Sequence, residues 1–236
     1  MRLDKYLSKA LGLTRKEAKE TIRRGEVTVD GKVVKRADFK VPEGAQVLVN
    51  GTFVEKREHL YVMLNKPKGY LSTTEQNRDY PSFLELLPEY EHLKPFAAGR
   101  LDVDAEGFLL ITTDGELAHR ITHPKWKVPK TYEVELEKPL SEEDLRKIQN
   151  REIKVEEKPV AVEKVEQISP NRVLLTISEG RFHIVKRLFK ELGNKVVNLK
   201  RIAIGPIELD PSLQEGEYRE LTEEEVKALK KSVKLD

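Results

Sequence analysis

Residues Pro95 to Gly115 read Pro-Phe-Ala-Ala-Gly-Arg-Leu-Asp-Val-Asp-Ala-Glu-Gly-Phe-Leu-Leu-Ile-Thr-Thr-Asp-Gly. A short apolar approach ends in Gly99-Arg100-Leu101-Asp102. A second carboxylate stands at Asp104, and Gly107 opens an apolar, strand-like run from Phe108 to Ile111. Two strands meeting at this point would hold the acid rigidly. An acid so placed, with an arginine two residues before it, is a candidate for chemistry. A loop salt bridge accounts for the same residues without any chemistry, and on residue types alone it is the better reading.

The flanking sequence supplies mostly strands, with helices interspersed. Strands are expected at Leu60–Leu64, Phe108–Thr113, Thr131–Leu136, Val160–Ile168, Val173–Ser178 and Val196–Lys200, with Asn65-Lys66-Pro67-Lys68-Gly69 as a turn broken by Pro and Gly. Helices are expected at Glu116–Thr122, at Glu142–Gln149 capped by Ser141, and at Phe182–Leu192 closed by Gly193. A final helix starts at the capping box Thr222-Glu223-Glu224-Glu225. Without strict strand–helix alternation, the pattern predicts an α+β fold with a mainly antiparallel or mixed sheet flanked by helices.

The N-terminal region differs in character. Leu3, Leu7 and Leu11 recur at helical spacing until Gly12. Thr14-Arg15-Lys16-Glu17 then begins a second helix that buries Ala18 and Ile22, and Val27 to Val34 form a hairpin around Asp30-Gly31. Residues 1–58 carry 14 Lys+Arg against 9 Asp+Glu, whereas the remainder carries 29 against 32. The overall net charge of +2 therefore conceals a basic segment on a slightly acidic body, which points to a polyanionic partner. A charged helix face can also be merely solvated. The polar stretch Gly51 to Glu58 reads as a linker, giving domains 1–58 and 59–236.

Composition excludes several classes. The chain of 236 residues has no Cys, which rules out disulfide scaffolds, Cys-ligated zinc and Cys nucleophiles. No apolar run reaches the ~20 residues of a membrane helix, and Met-Arg-Leu-Asp-Lys is not the start of a secretory signal. The protein is expected to be cytoplasmic, with no membrane association. His119, His123 and His183 form no metal motif, and Gly99, Gly107 and Gly115 form no phosphate loop, so neither metal nor cofactor is expected.

Gly99-Arg100-Leu101-Asp102-x-Asp104-x-x-Gly107 with Leu110-x-Thr112-x-Asp114-Gly115 resembles the central motif of the RsuA-type pseudouridine synthases. Asn65-Lys66-Pro67-x-Gly69 resembles the opening motif of the same family, and the first 50 or so residues resemble an S4 (αL-like) RNA-binding domain. The resemblance implies isomerisation of uridine to pseudouridine without a cofactor, with Asp102 as the nucleophile. It implies that Tyr132, in Lys130-Thr131-Tyr132-Glu133-Val134, stacks on the target base. Periodicity alone makes Tyr132 a core residue. It also implies that Lys186, in Glu179-Gly180-Arg181-Phe182-His183-Ile184-Val185-Lys186-Arg187, supplies a cation paired with Asp102. Arg100 would hold the RNA backbone or keep the flipped base out. Ala105 departs from the Thr or Ser common in the family, and Ile184 from its Gln.

RNA-backbone contacts are expected from Arg2, Lys5, Arg15, Lys16, Lys19, Arg23, Arg24 and Lys66. His119-Arg120-Ile121-Thr122-x-Pro124 and Glu215 to Glu225 resemble the small-subunit (16S) branch more than the large-subunit (23S) branches. A non-catalytic ribosome-assembly factor is the alternative from another class. The expected partner is ribosomal RNA within a subunit assembly intermediate, engaged by a monomer.

Overall fold

The computed structural model describes residues 1–55 and 58–236. They divide into two compact units, residues 1–59 with 89–94, and residues 60–88 with 95–236.

In the first unit, helices α1 (Leu3–Leu11) and α2 (Arg15–Arg23) precede strands β1 (Val27–Val29), β2 (Lys32–Val33), β3 (Val47–Val49) and β4 (Thr52–Phe53), which form a sheet in the order β2-β1-β3-β4. Thr14 and Glu17 close a reciprocal capping box on α2, and Gly12 ends α1 in the left-handed conformation. Asp30 and Gly31 both have positive φ (50° and 82°), the geometry that a tight hairpin turn demands. Leu3, Leu7, Ala18, Ile22, Val27 and Val47 are fully buried and form its core. The expected linker is corrected in part. Thr52 and Phe53 pair with β3 and Val54 is buried, because the β-branched and aromatic residues of Thr52-Phe53-Val54 suit an edge strand; residues 56 and 57 of that linker lie outside the described residues.

The second unit holds β5 (Tyr61–Lys66), β6 (Phe96–Ala97), β7 (Glu106–Thr112), α3 (Gly115–Thr122), β8 (Lys130–Leu136), α4 (Glu142–Gln149), β9 (Lys154–Val155), β10 (Lys158–Pro159), β11 (Val162–Ser169), β12 (Arg172–Ile177), α5 (Ile184–Glu191), β13 (Val196–Ile204), β14 (Ile207–Glu208), β15 (Tyr218–Glu220) and α6 (Glu223–Ser232). The main sheet runs β11-β12-β8-β13-β7-β5-β15 and is antiparallel except where β13 and β7 run parallel. This is the α+β architecture that the sequence pattern predicts. Ser141, Thr222 and Asp114 cap their helices with side-chain oxygens. Helix α5 begins at Ile184 and not at Phe182, because His183 adopts the left-handed conformation (φ 51°) and turns the chain before the helix starts.

The parallel pair explains Gly107. It lies opposite Arg201 at φ 105°, and a Cβ placed there would sit 2.2 Å from the Arg201 carbonyl oxygen. Only glycine allows β7 and β13 to approach this closely. Gly107→Ala is therefore expected to destabilise the protein by roughly 3 kcal/mol or more, from combined strain and overlap. Gly44→Ala, at φ 79° but facing open space, should cost only about 1 kcal/mol. Urea unfolding of the two variants checks this; equal losses would contradict the close-approach argument.

Candidate active site

Asp102 lies in the tight connection between β6 and β7, and a set of local hydrogen bonds fixes that connection. The Ala105 amide donates to the Asp102 carbonyl (2.9 Å), and the Gly69 amide donates to the Val103 carbonyl (2.7 Å). The Ser72 hydroxyl donates to the Leu101 carbonyl (2.8 Å) and accepts from the Leu101 amide (2.9 Å). The turn that follows β5, which the sequence placed at Asn65–Gly69 and which starts only after Lys66, thus supports the loop that carries the acid.

Arg201 adds a third brace. Its side chain is 2% exposed, with Nε donating to the Phe108 carbonyl (2.8 Å) and one terminal nitrogen 3.5 Å from the Arg100 carbonyl. The other terminal nitrogen is buried without a partner, and among the described residues no carboxylate pairs with it. A buried guanidinium lacking a counter-ion is expensive to desolvate. The sequence offered no sign of it, since Leu199-Lys200-Arg201-Ile202 reads as an ordinary strand.

Two side chains from the segment 183–186 converge on Asp102. Lys186 Nζ lies 3.2 Å from Asp102 Oδ2 and 2.8 and 3.0 Å from the two oxygens of Asp104. His183 Nε2 lies 3.2 Å from Asp102 Oδ1. The expected pairing of Lys186 with Asp102 is thus present, and Lys186 also binds Asp104. His183 was set aside in the sequence because its spacing fits no metal motif. Its left-handed backbone, which no sequence pattern announces, is what aims the ring at Asp102.

Burial alone would lower the Lys186 pKa, but the hydrogen bonds it donates to Asp104 and Asp102 outweigh it and raise it. Burial would likewise raise Asp104, and the Lys186 contact lowers it instead. Nearby, burial would raise Glu106, but hydrogen bonds with Glu215 and Asn198 lower it, while the same contact with Glu106 raises Glu215.

Tyr132 is 9% exposed and stands on the buried face of β8 with Val134 and Leu136, directly opposite Arg201 on β13. Cross-strand partners share a face of the sheet, so the tyrosine adjoins the guanidinium that braces the Asp102 loop. The Arg100 side chain is exposed. In the first unit Arg2, Lys5, Arg15, Lys16, Lys19, Arg23 and Arg24 are all exposed. Arg2 and Arg15 pair with the buried Asp4, and Arg23 and Arg24 with Glu20.

Lys66 is corrected as an RNA contact. It is fully buried, and its Nζ donates to the Pro67 and Tyr70 carbonyls at 3.0 Å each. It cannot reach a phosphate because β5 places it under the Asp102 loop, where it is a core cation. Burial pulls its pKa down to about 8 although Asp104, Asp102 and Glu106 act in the opposite direction.

The sequence profile of the family described as RNA pseudouridylate synthase matches residues 60–191, and that of the S4 domain matches residues 1–47. The chain is 58% identical to an uncharacterised RNA pseudouridine synthase of Aquifex aeolicus (strain VF5), over 100% of this chain and 99% of the relative. It is 44% identical to the ribosomal small subunit pseudouridine synthase A of Escherichia coli (strain K12), over 96% and 98% of the two chains. It also superposes on a crystal structure of a pseudouridylate synthase with a TM-score of 0.65 and 40% identity, covering 97% of this chain and 99% of that one.

The buried lysine gives a pH signature. Between about 8 and its ordinary value of 10.5, Lys66 is deprotonated in the folded state and protonated in the unfolded one, so stability rises with pH across that window. Lys130, also buried and lowered to about 8 by burial, adds a similar rise. Each contributes at most about 1.4 kcal/mol per pH unit. Lys66→Met should remove about half of the increase in urea stability between pH 8 and pH 10; an unchanged slope would mean that Lys66 is not a buried cation.

Proposed function

Given that the chain belongs to the RNA pseudouridylate synthase family and carries an S4 domain ahead of the synthase region, we propose that it converts a specific uridine of small-subunit (16S) ribosomal RNA to pseudouridine, with Asp102 as nucleophile. Pseudouridine synthases are isomerases. The N1–C1′ glycosidic bond breaks, the uracil rotates, and C5 bonds to C1′ and loses its proton while N1 takes one up, so that the formula is unchanged. The observation that carries the reading is the carboxylate of Asp102, part-exposed on a braced loop and held between His183 and Lys186. The full-length likeness to a protein named for the small ribosomal subunit supports the choice of RNA.

The residues divide the work. Asp102 approaches the ribose as nucleophile, and Lys186 balances its charge and fixes its position. Tyr132 offers a ring face to a base taken out of its stack, and a ring face tolerates the rotation that the reaction requires. Arg100, exposed two residues before Asp102, contacts the RNA backbone or fills the space left by the flipped base. In the S4 domain, Lys5, Lys16 and Lys19 are exposed and, among the described residues, have no ion-pair partner, so they are the cations most available to phosphate. The enzyme is proposed to act as a cytoplasmic monomer on a subunit assembly intermediate.

Asp102→Asn, nearly isosteric but no nucleophile, should abolish tritium release from 5-tritiated uridine in a 16S transcript while leaving RNA affinity nearly intact; wild-type release would overturn the assignment. Tyr132→Phe should keep much of the activity and Tyr132→Leu lose most of it, because base–aromatic stacking is worth roughly 1–3 kcal/mol. Lys186→Met should reduce turnover more than RNA binding, with Lys186→Arg tolerated best. The Lys5→Gln/Lys16→Gln/Lys19→Gln variant should lower the salt slope of RNA binding by roughly 2–3; an unchanged slope would make that face merely solvated.

A further inference from the structure

The turn before α5 holds an aromatic pair whose outer ring, Phe182, has no part in the proposed reaction. The Phe182 ring is 74% exposed and stacks on the His183 ring, with centroids 3.7 Å apart and an interplanar angle of 20°. An aromatic side chain left this bare on a globular surface is uncommon, and here it is held in place. The Phe182 carbonyl accepts from Arg187 (3.1 Å), and the Ile184 amide donates to the Arg181 carbonyl (3.1 Å). The Arg181 guanidinium is fastened to the Val155 carbonyl (2.6 Å) and pairs with Glu179. One face of the phenyl ring is covered by His183, which leaves the other as a platform. The other end of the same histidine touches Asp102.

We propose that the free face of Phe182 stacks an unpaired base of the substrate RNA, at a nucleotide flanking the target uridine. The inference rests on the reading of RNA as substrate and assigns a subsite within it. The charge around the ring fits this occupant. Arg187 and Lys186, on the following turn, already pair with Glu156 and with Asp102 and Asp104, whereas Arg100 and Lys68 are exposed on the loops that frame Asp102 and are the cations open to a phosphodiester. Stacking needs only a π-face and accepts any base, so this contact would add affinity and register without reading sequence. The left-handed conformation of His183 presents its ring to both neighbours at once, to Asp102 at one edge and to Phe182 on its face.

The test uses full-length protein and an unmodified 16S ribosomal RNA transcript, with affinity measured by filter binding over a salt series and turnover by tritium release. Phe182→Leu should weaken binding roughly tenfold at every salt concentration, whereas Phe182→Trp should stay within about twofold of wild type. The salt slope should not change, because stacking releases no counter-ions. Phe182→Leu should raise KM for RNA by a larger factor than it lowers kcat. Replacing the bases that flank the modified uridine one at a time with abasic sites should erase the penalty of Phe182→Leu at one position. Equal affinity of the Leu variant and wild type would overturn the platform. So would a Trp variant as weak as Leu, or a penalty that persists with every abasic substrate. If wild type binds the transcript with the predicted dependence on residue 182 but releases no tritium, the catalytic reading fails and the platform stands. Turnover that is indifferent to residue 182 in affinity has the opposite meaning.

Discussion

The close approach of β7 and β13 at Gly107 and Arg201 is the constraint on which the rest of the synthase unit depends. It joins the only two parallel neighbours along the main sheet path of the described residues, where every other pairing is antiparallel. Glycine at φ 105° removes the side chain that would keep the strands apart. With the backbones in contact, the Arg201 side chain has no route to solvent and extends along the strand to the Phe108 and Arg100 carbonyls. The same contact therefore sets a strand order and braces the loop that carries Asp102. The desolvation of the guanidinium is the energetic cost of that rigidity.

Around this brace the charges interlock. Asp102 and Asp104 are two carboxylates separated by one residue, a combination that repels itself unless cations are interposed. Lys186 reaches both from above the loop, and Lys66 lies beneath it, buried and with a weakened hold on its proton. His183 touches the remaining oxygen of Asp102. Glu106 and Glu215 answer the same crowding differently, by a hydrogen bond between carboxyl groups that raises one and lowers the other. Each group is intelligible only with its neighbours, as is usual where local electrostatics serve a reaction.

How far the sequence reveals this depends on the kind of information each residue carries. Capping boxes at Thr14 and Thr222, the Asp30-Gly31 turn and the alternation through Tyr132, Val134 and Leu136 are local rules, and they are legible one element at a time. The pairing of Lys186 with Asp102 spans 84 positions and is visible only through the likeness of motifs. Arg201, Lys66 and His183 escape because their roles are set by long-range register and by one backbone angle. A lysine in a Pro/Gly turn looks exposed until the strand before it proves to be central. An arginine in a strand looks peripheral until a glycine six strands earlier in chain order, but next to it in the sheet, admits it to the core.

Lysine at position 186 also has a chemical consequence. An arginine fork favours two parallel hydrogen bonds to a single carboxylate, which would commit it to Asp102 or to Asp104. An ammonium group has three donors around a compact charge, and here it contacts both acids from one point, at 3.2 Å and 2.8 Å. Sharing one cation leaves neither carboxylate fully enclosed, and the Asp102 side chain stays part-exposed. On the proposed function, Asp104 would hold Lys186 as Asp102 moved onto the substrate, so that the cation need not follow. The pair of acids would then separate two tasks, with one carboxylate reacting and the other keeping the counter-charge in place.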